Sequence, residues 1–490
     1  MSIGFHEFLK KNQKLKIRFA TFEIAKYGGI INQIEDRIKA YKDLGHDVDF
    51  IMLKYDKKLN EKGYAKKVAE MESGVFQDKI EKHSQNGGYE KSPITGFWKN
   101  NYYGWVLPPK TNSIPVFNDQ ALEWWNDLVK DVDIIFWDFM PTKTSEAEGF
   151  NFWYKFFDLP KKIKQVFIVH DAYFDMRASW ISALREKILF LDCCHIAGYN
   201  CCENIGIPRN LIFNWREFPE KMPNISMKDR PIDFYSGHIF KSMKRMDDLL
   251  RAIPHLNGPK KIDPYQVIIA GSGIEYSYMT SPNKTKEVYK ARRKEDPNLA
   301  QSVEDSGISL WDRALKYGMD YAGMLGKKEV YEFMKMSKFA IDPSWATHYA
   351  QYCRTHINGF TIEAIINGCY PIYRDYKGLS DKEVSDPLFD AINAIIIPWD
   401  ATPKEFSDKM REATFMSEKT FYNHTRENFE IAKGLFDSKI NAKETLDLIY
   451  SPEKMKELLT GEDSDLVDRQ TTDVMNNFFG ISLPIKWTTK

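Results

Sequence analysis

The chain has 490 residues, of which 43% are hydrophobic and 28% are charged, so it is long enough to bury two hydrophobic cores. Lys and Arg together number 69, as do Asp and Glu, so no global charge directs the protein to nucleic acid or to anionic lipid. Apolar runs such as residues 391–397 are far shorter than a membrane span. We therefore expect a protein of the cytoplasm that has no membrane partner.

The first half of the chain alternates strands and helices. Residues 15–22 predict an apolar strand that runs towards Gly28 and Gly29, residues 30–44 predict an amphipathic helix, and residues 48–53 predict a second strand. In such a parallel βαβ unit, the glycine turn lies at the carboxyl edge of the sheet, where ligands bind. Further strands are predicted over residues 132–137, 165–169 and 195–197, and a helix over residues 180–191.

Four of the six cysteines form two adjacent pairs, Cys193-Cys194 and Cys201-Cys202. So few cysteines in so long a chain do not form a disulfide framework. His195 beside the first pair raises a zinc site as an alternative. Zinc ligands, however, are usually separated by about two to four residues. Adjacent side chains on a strand also point to opposite faces, so we expect buried, reduced thiols and no metal site.

The second half repeats the alternation after a polar, proline-rich linker over residues 219–231. Strands are predicted over residues 232–237, 266–273, 339–342, 370–373 and 394–398, with a helix through Leu249 and Leu250 between the first two. The fold class is therefore α/β, with two doubly wound, Rossmann-like domains that face each other across a cleft. We predict domains over residues 1–228 and 229–425, and C-terminal helices and a tail over residues 426–490 that return to the first domain.

The segment 359–375 predicts a helix that carries Glu363 in its first turn, ends at Gly368 and leads into an apolar strand. A carboxylate there can accept two hydrogen bonds from a ribose diol, while the free amides of the helix start can bind phosphate. Alternatively, Glu363 is a solvated carboxylate or a partner of the helix dipole.

The surrounding segments resemble the family 4 retaining glycosyltransferases, which have the two-domain GT-B fold. Residues 327–345 predict a helix and a strand ending in Asp342-Pro343-Ser344, followed by a loop and by the helix of Glu363, as in that family. Residues 237–244 resemble its Gly-Arg loop and phosphate-binding Lys. The resemblance implies a UDP-sugar co-substrate and no obligatory cofactor or metal. The donor-binding residues that it implies are Glu363 on the ribose, Lys244 and His238 on the diphosphate, and Thr361, Gly28 and Gly29 nearby.

Two departures from the family pattern concern sugar and phosphate recognition. His238 stands where the family usually has Arg, and Lys244 is offset by one residue. Thr355 replaces the first family Glu, which supports the sugar in ordinary members. We therefore expect this chain to recognise its sugar differently.

The first domain is similar to the DNA alpha-glucosyltransferases of T-even bacteriophages. Residues 166–177 place His170-Asp171 at the end of a strand, and residues 211–219 precede the linker, in the same order as in those enzymes. The resemblance implies retention of configuration and a hydroxymethylated pyrimidine as acceptor. It also implies that the catalytic residues are Asp171 and His170. Asp171 would accept the proton of the acceptor hydroxyl, or His170 would bind a hydroxyl of the sugar.

Two segments are candidates for contact with DNA. Residues 97–110 hold five aromatic residues and two lysines in a predicted insertion loop, and residues 284–294 are basic. Aromatic rings can stack on bases while cations contact phosphates. The candidates are Trp98, Lys99, Tyr102, Tyr103, Arg292 and Arg293. The alternatives are a packed aromatic loop and a solvated helix face.

Three functional hypotheses follow. The first is a hexosyl- or pentosyltransferase that modifies double-stranded DNA of a bacteriophage in the host cytoplasm. The second is a cytosolic glycosyltransferase of surface glycan or glycolipid synthesis, although such enzymes usually keep both family glutamates. The third is a non-catalytic module that binds a nucleotide sugar.

Overall fold

The computed structural model describes residues 14–21, 29–55, 102–107, 110–111, 114–115, 125–126, 129–139, 155–170, 184–194, 198–199, 202, 207–211, 215–238, 240, 244–258, 263–273, 276–281, 308–344, 359–375 and 391–455. The chain divides into two compact units. Unit 1 is Met1–Glu217 with Phe436–Lys490, and unit 2 is Phe218–Leu435.

These divisions differ from the boundaries expected after residues 228 and 425. The linker from Phe218 onwards belongs to unit 2, because the Phe218 ring packs edge-on against Phe429, with 5.5 Å between the ring centroids. The second division lies between Leu435 and Phe436, at the end of the helix Glu418–Phe436, and residue 425 lies inside that helix. Phe421 packs in the core of unit 2 and Phe429 packs against Phe218, so the helix up to Leu435 belongs to unit 2.

Unit 1 is built on a parallel sheet. Its described strands are β1 (Lys16–Thr21), β2 (Asp47–Tyr55), β3 (Tyr102–Leu107), β4 (Lys110–Thr111), β5 (Ile114–Pro115), β6 (Ile134–Phe139), β7 (Lys164–Val169), β8 (Phe190–Cys193) and β9 (Arg209–Leu211). Seven of these described strands form one sheet of order β3-β2-β1-β6-β7-β8-β9, in which every neighbouring pair is parallel. Strands β4 and β5 form a separate antiparallel pair.

The strand-helix-strand unit predicted at the start of the chain is confirmed. Helix α1 (Gly29–Asp43) connects β1 to β2 and buries Ile34, Ile38 and Tyr41 in the cluster that contains Phe19 of β1. The helix ends just before Gly45, whose φ of +91° lies in the left-handed region that glycine adopts without strain. The carboxyl end of β1 therefore leads into α1, as the sequence predicts.

Two predictions for unit 1 need correction. The helix predicted over residues 180–191 overlaps β8, because Phe190 and Leu191 are strand residues. A strand buried on both faces is apolar throughout, so its sequence lacks the period that distinguishes strand from helix. The strand predicted over residues 195–197 lies outside the described residues. The loop predicted over residues 97–110 contains β3, which pairs in parallel with β2.

Unit 2 has a second parallel sheet. Its described strands are β10 (Ile232–Gly237), β11 (Val267–Ala270), β12 (Met319–Gly323), β13 (Ser337–Asp342), β14 (Tyr370–Arg374) and β15 (Ile395–Ile397). Its described helices are α2 (Met246–Asn257), α3 (Tyr276–Met279), α4 (Leu310–Lys316), α5 (Lys327–Met336), α6 (Gly359–Ile366), α7 (Pro403–Thr414) and α8 (Glu418–Phe436). The strand order, over the part of the chain that is described, is β12-β11-β10-β13-β14-β15, and all pairs are parallel.

Helices cover both faces of this sheet. Phe234 of β10 packs in the cluster that includes α2 and α7, whereas its neighbour Tyr235 stacks on Phe333 of α5 and contacts Phe360 of α6. This alternation is the period of two expected for a strand between two buried layers. The five strands predicted for this half are confirmed. Strand β12 was not predicted, because only Met319 of its first three residues is buried.

Helix α9 (Ser438–Tyr450) belongs to unit 1. Its residues Ala442, Leu446 and Ile449 are buried in the same cluster as Phe19 and Tyr41. Within the described ranges, no helix combines the length and the apolar character that crossing a membrane requires.

Candidate functional site

Polar residues gather at the carboxyl edge of the sheet in unit 2. Because β10, β13 and β14 are parallel neighbours, their carboxyl ends lie at the same edge. His238 follows β10, Asp342 ends β13, and helix α6 carries Thr361 and Glu363. Lys244 precedes α2, which follows the same loop as His238. We call these five residues the unit 2 site.

His238 and Asp342 form a buried pair. The distance from His238 Nε2 to Asp342 Oδ1 is 3.6 Å, and the side chains are 3% and 4% exposed. The His238 ring also packs on Phe360, with 4.4 Å between ring centroids. Burial lowers the pKa of His238 to about 4, against the opposing effect of Asp342. The imidazole is therefore neutral at pH 7.

Asp342 carries the negative charge of this pair. Burial alone would raise its pKa, but the effects of His238 and Lys244 and the hydrogen bonds from Ser344 outweigh burial and lower the pKa. The backbone N–H of Ser344 donates to Asp342 Oδ1 over 3.1 Å, and Thr361 Oγ1 donates to Asp342 Oδ2 over 3.2 Å. The carboxylate thus ties the end of β13 to helix α6.

Lys244 is half-buried and contributes positive charge to the site. Its charge lowers the pKa of both His238 and Asp342, which places the ammonium within electrostatic reach of the pair. An ammonium group at the carboxyl edge of a parallel sheet is suited to bind a phosphate oxygen.

Glu363 is buried in α6. The pKa of Tyr235 on β10 is raised first by the burial of Tyr235 and second by the electrostatic effect of Glu363. The prediction that Glu363 lies in the first turn of its helix is wrong. Residues 359–362 are already helical, because the apolar run upstream continues the helix. Glu363 is therefore the fifth residue of α6. Thr361, two residues earlier in α6, uses its hydroxyl to bond Asp342.

A buried ionic cluster, which the sequence did not predict, begins at the residue that follows Lys244 in the chain. Asp248 Oδ2 accepts hydrogen bonds from Arg245 Nε at 2.7 Å and from Arg374 Nη1 at 2.6 Å, while Asp248 Oδ1 lies 3.4 Å from Arg251 Nη1. We call these four residues the Asp248 cluster. The spacing of Asp248 and Arg251 would have indicated a helix pair. Arg374 is separated from Asp248 by 126 positions, so no local signal could reveal it.

Arg245 connects this cluster to the site because it is the residue next to Lys244. Its φ of +47° is left-handed, which is unfavourable for a side chain larger than glycine by roughly 1–2 kcal/mol. The bonds to Asp248 offset that strain. The Asp248 cluster therefore fixes the backbone from which the Lys244 side chain projects.

Gly271, after β11, is a point of close backbone approach, and we expect Gly271→Ala to destabilise unit 2. A Cβ there would lie 1.8 Å from the carbonyl oxygen of His238, and the φ of +126° is strained for any L side chain. The strain and the clash together predict a loss of more than about 3 kcal/mol in the free energy of unfolding. Denaturant titration followed by circular dichroism measures it.

Gly434→Ala is the matched control for that substitution. Gly434 is exposed within α8, and an added Cβ would meet no atom within 4 Å. Ala is favoured over Gly in a helix, so we expect a stabilisation of about 0.5–1 kcal/mol. Equal effects of the two substitutions would contradict the close approach at Gly271.

In unit 1, His170 follows the carboxyl end of β7 and is half-buried. Its Nδ1 lies 3.7 Å from Cys194 Sγ. Cys193, Cys194 and Cys202 are buried free thiols. Among the described residues, no group of three or more His, Cys, Asp or Glu is arranged to hold a metal ion.

Several predicted site residues lie outside the described residues: Gly28, Asp171, Trp98, Lys99, Arg292 and Arg293. Gly29 is the first residue of α1, and Tyr102 and Tyr103 begin strand β3. The structure therefore brings together His238, Lys244 and Thr361 around Asp342 in unit 2, with Glu363 on the same helix as Thr361, and places His170 at the corresponding sheet edge in unit 1.

Solved structures share the fold of this chain. An alpha-glucosyltransferase in complex with UDP and a 13-mer DNA containing an HMU base is 12% identical, with a TM-score of 0.53, and the match covers 90% of this chain and 100% of that one. For an alpha-glucosyltransferase in complex with UDP-glucose and DNA containing an abasic site, the values are 11%, 0.52, 89% and 99%. For a variant of S. aureus TarM in complex with fondaparinux, alpha-GlcNAc-glycerol and UDP, they are 12%, 0.51, 89% and 99%.

A scan against protein-family models finds no match, and a search of curated proteins finds none either. The likeness to solved structures shows that the chain has the two-domain α/β fold of the GT-B type, as the sequence predicts.

Proposed function

We propose that this chain is a retaining glycosyltransferase that transfers a sugar from a UDP-sugar to a hydroxymethylated pyrimidine in double-stranded DNA. The observation that carries the proposal is the assembly of Lys244, His238 and Glu363 at one carboxyl edge of a parallel sheet, because that edge is where such folds bind nucleotides. The fold likeness to a glucosyltransferase solved with UDP and DNA supports it.

Glu363 binds the ribose of the donor. A carboxylate accepts hydrogen bonds through both oxygens, so it can hold the two hydroxyls of a ribose at once. Its burial in α6 supports this role, since a desolvated carboxylate forms stronger hydrogen bonds than a solvated one.

Lys244 binds the diphosphate. During transfer, the bond from the anomeric carbon to the diphosphate oxygen breaks, and negative charge develops on the leaving UDP. A cation fixed near that oxygen stabilises the transition state more than the ground state. The neutral imidazole of His238 adds a ring N–H donor without a second positive charge.

His170 and Asp171 act on the sugar and the acceptor. His170 donates a hydrogen bond to a hydroxyl of the transferred sugar. Asp171 accepts the proton of the acceptor hydroxyl while the oxygen of that hydroxyl bonds to the anomeric carbon. Strand ends of parallel sheets are where such groups are expected, and His170 follows the end of β7.

A surface glycan is the alternative acceptor. The fold likeness to TarM, solved with alpha-GlcNAc-glycerol and UDP, favours this second function. In both cases the donor site in unit 2 is the same, so the acceptor separates the two. A non-catalytic module would bind the nucleotide sugar without turnover.

The test is release of UDP from a panel of UDP-sugars. Unmodified DNA, hydroxymethylcytosine DNA and hydroxymethyluracil DNA serve as separate acceptors, with a polyol phosphate polymer as the glycan acceptor. We expect turnover that requires one hydroxymethylated DNA. Turnover with the polymer alone establishes the second function, and donor binding without turnover on any acceptor contradicts both.

Glu363→Gln tests the donor site within the same assay. The amide keeps the shape of the side chain but loses its charge and one acceptor. Loss of charge-assisted hydrogen bonds worth about 1.5–3 kcal/mol predicts a reduction in kcat/KM of roughly 10-fold to 100-fold. Glu412→Gln on α7 is the matched control, because the Glu412 side chain is 57% exposed and pairs with neighbouring Lys409 at 2.8 Å. We expect it to leave turnover unchanged.

A further inference from the structure

A line of contacting polar side chains leads from the interior of unit 1 to His170. Arg37 of α1 and Asp192 of β8 are both fully buried, and Arg37 Nη1 lies 2.5 Å from Asp192 Oδ2. Arg37 Nη2 donates to Cys194 Sγ over 3.4 Å, and Cys194 Sγ lies 3.7 Å from His170 Nδ1. Cys194 therefore lies between a buried guanidinium and the imidazole.

Arg37 is held in place as a charged donor. Its guanidinium packs over the Trp215 ring at 4.2 Å from the centroid. Burial would lower its pKa, but the charge and hydrogen bond of Asp192 outweigh burial and raise it. A guanidinium has donors and no acceptor, so the sulfur must be the acceptor in the contact between Arg37 and Cys194.

Because the thiol proton is not used in the first contact, it is available for the second. The thiol accepts from Arg37 and has one proton to donate, and His170 Nδ1 is its neighbour on the other side. A neutral imidazole has one protonated and one unprotonated nitrogen. If Nδ1 accepts from the thiol, the proton of the ring is on Nε2.

We propose that Cys194, oriented by Arg37, is a positioning residue that selects the Nε2–H tautomer of His170. The inference rests on the proposed function, because it supplies the N–H with which His170 bonds a sugar hydroxyl. In the alternative tautomer, Nε2 has a lone pair and no proton. It could then only accept a hydrogen bond from the sugar hydroxyl, which is the reverse of the proposed direction.

Nitrogen NMR of histidine-labelled protein tests the tautomer without any substrate. The chain has 10 histidines, and His170→Gln identifies the signal of His170 by its loss. At a pH where the ring is neutral, we expect the wild-type Nδ1 to show the shift of an unprotonated nitrogen. We expect Cys194→Ser to preserve that state and Cys194→Ala to give a mixture of tautomers. A protonated Nδ1 in the wild type, or an unchanged tautomer in Cys194→Ala, would overturn the proposal.

Kinetics provide the second readout. Cys194→Ala should lower kcat by about threefold to tenfold, which is the effect of one weakened hydrogen bond, and should change the KM for the donor little. Cys194→Ser should restore most of the lost kcat. Cys193→Ala is the control, because Cys193 is an equally buried thiol whose S–H donates to the carbonyl oxygen of Leu191 over 3.9 Å. If no acceptor supports turnover, the proposed function fails, while the NMR result still decides the tautomer.

Discussion

Lys244→Met is expected to lower kcat for UDP-sugar turnover by about 100-fold or more, equivalent to roughly 2.7–4 kcal/mol of lost transition-state stabilisation. The reason is electrostatic, because the ammonium of Lys244 is the group proposed to face the charge that develops on the departing diphosphate. Methionine keeps the length and apolar stem of the side chain, so packing changes little. Stopped-time UDP release under saturating donor measures the effect.

The same variant has an effect that does not depend on catalysis. Lys244 lowers the pKa of His238, so its removal should raise that pKa above about 4, while Asp342 also titrates at higher pH. Proton NMR of the His238 ring against pH measures this shift. A lower kcat with an unmoved His238 pKa would contradict the placement of Lys244 beside the pair.

Lys404→Met is the matched control for Lys244. Lys404 lies on α7 with a side chain that is 73% exposed, and it pairs with Asp408 at 2.9 Å. Exposed ion pairs of this kind contribute little to stability, and Lys404 is not part of the unit 2 site. We expect the kcat of Lys404→Met to equal that of the wild type.

Asp248→Asn should lower stability by about 3–5 kcal/mol, because it removes the buried negative charge that Arg245 and Arg374 both contact. Asp248 contacts Arg245, Arg251 and Arg374, and all four side chains are buried. The chain has two units, so hydrogen exchange of the α2 amides is the appropriate local measurement. Asp408→Asn on α7, where the side chain is 43% exposed, should lower stability by less than about 1 kcal/mol.

The stability contributed by Asp248 also depends on pH. Burial and Asp247 raise its pKa, but Arg374, Arg245 and Arg251 lower it by more, so the folded pKa lies below the unfolded one. Its contribution is therefore complete above the unfolded value of about 3.9 and is lost as the pH falls through the folded value. The wild type should lose protection of α2 below about pH 4. Asp248→Asn should show a smaller decline, with a remainder from Asp342.

The sequence predicted elements well where a strand or helix has its own pattern. Strand β10 has the predicted bounds Ile232–Gly237, and α5 followed directly by β13 matches the helix and strand predicted before Pro343. It failed at Phe190 and Leu191, where every residue of β8 is buried and the period disappears. It also placed Glu363 too early in α6, since the apolar residues upstream gave no stop signal.

The sequence by itself determined that the chain forms two α/β domains with parallel sheets, and that His170, His238 and Lys244 lie where strands end or helices begin. These features follow from local periodicity and from turn residues, which act over a few positions along the chain.

Only the tertiary structure decided which side chains touch. Asp248 meets Arg374, and Cys194 joins Arg37 to His170, because parallel strands bring distant segments to one sheet edge and helices pack across them. Such contacts depend on burial, where charges must be paired, and no pattern of neighbouring residues encodes the identity of the partner.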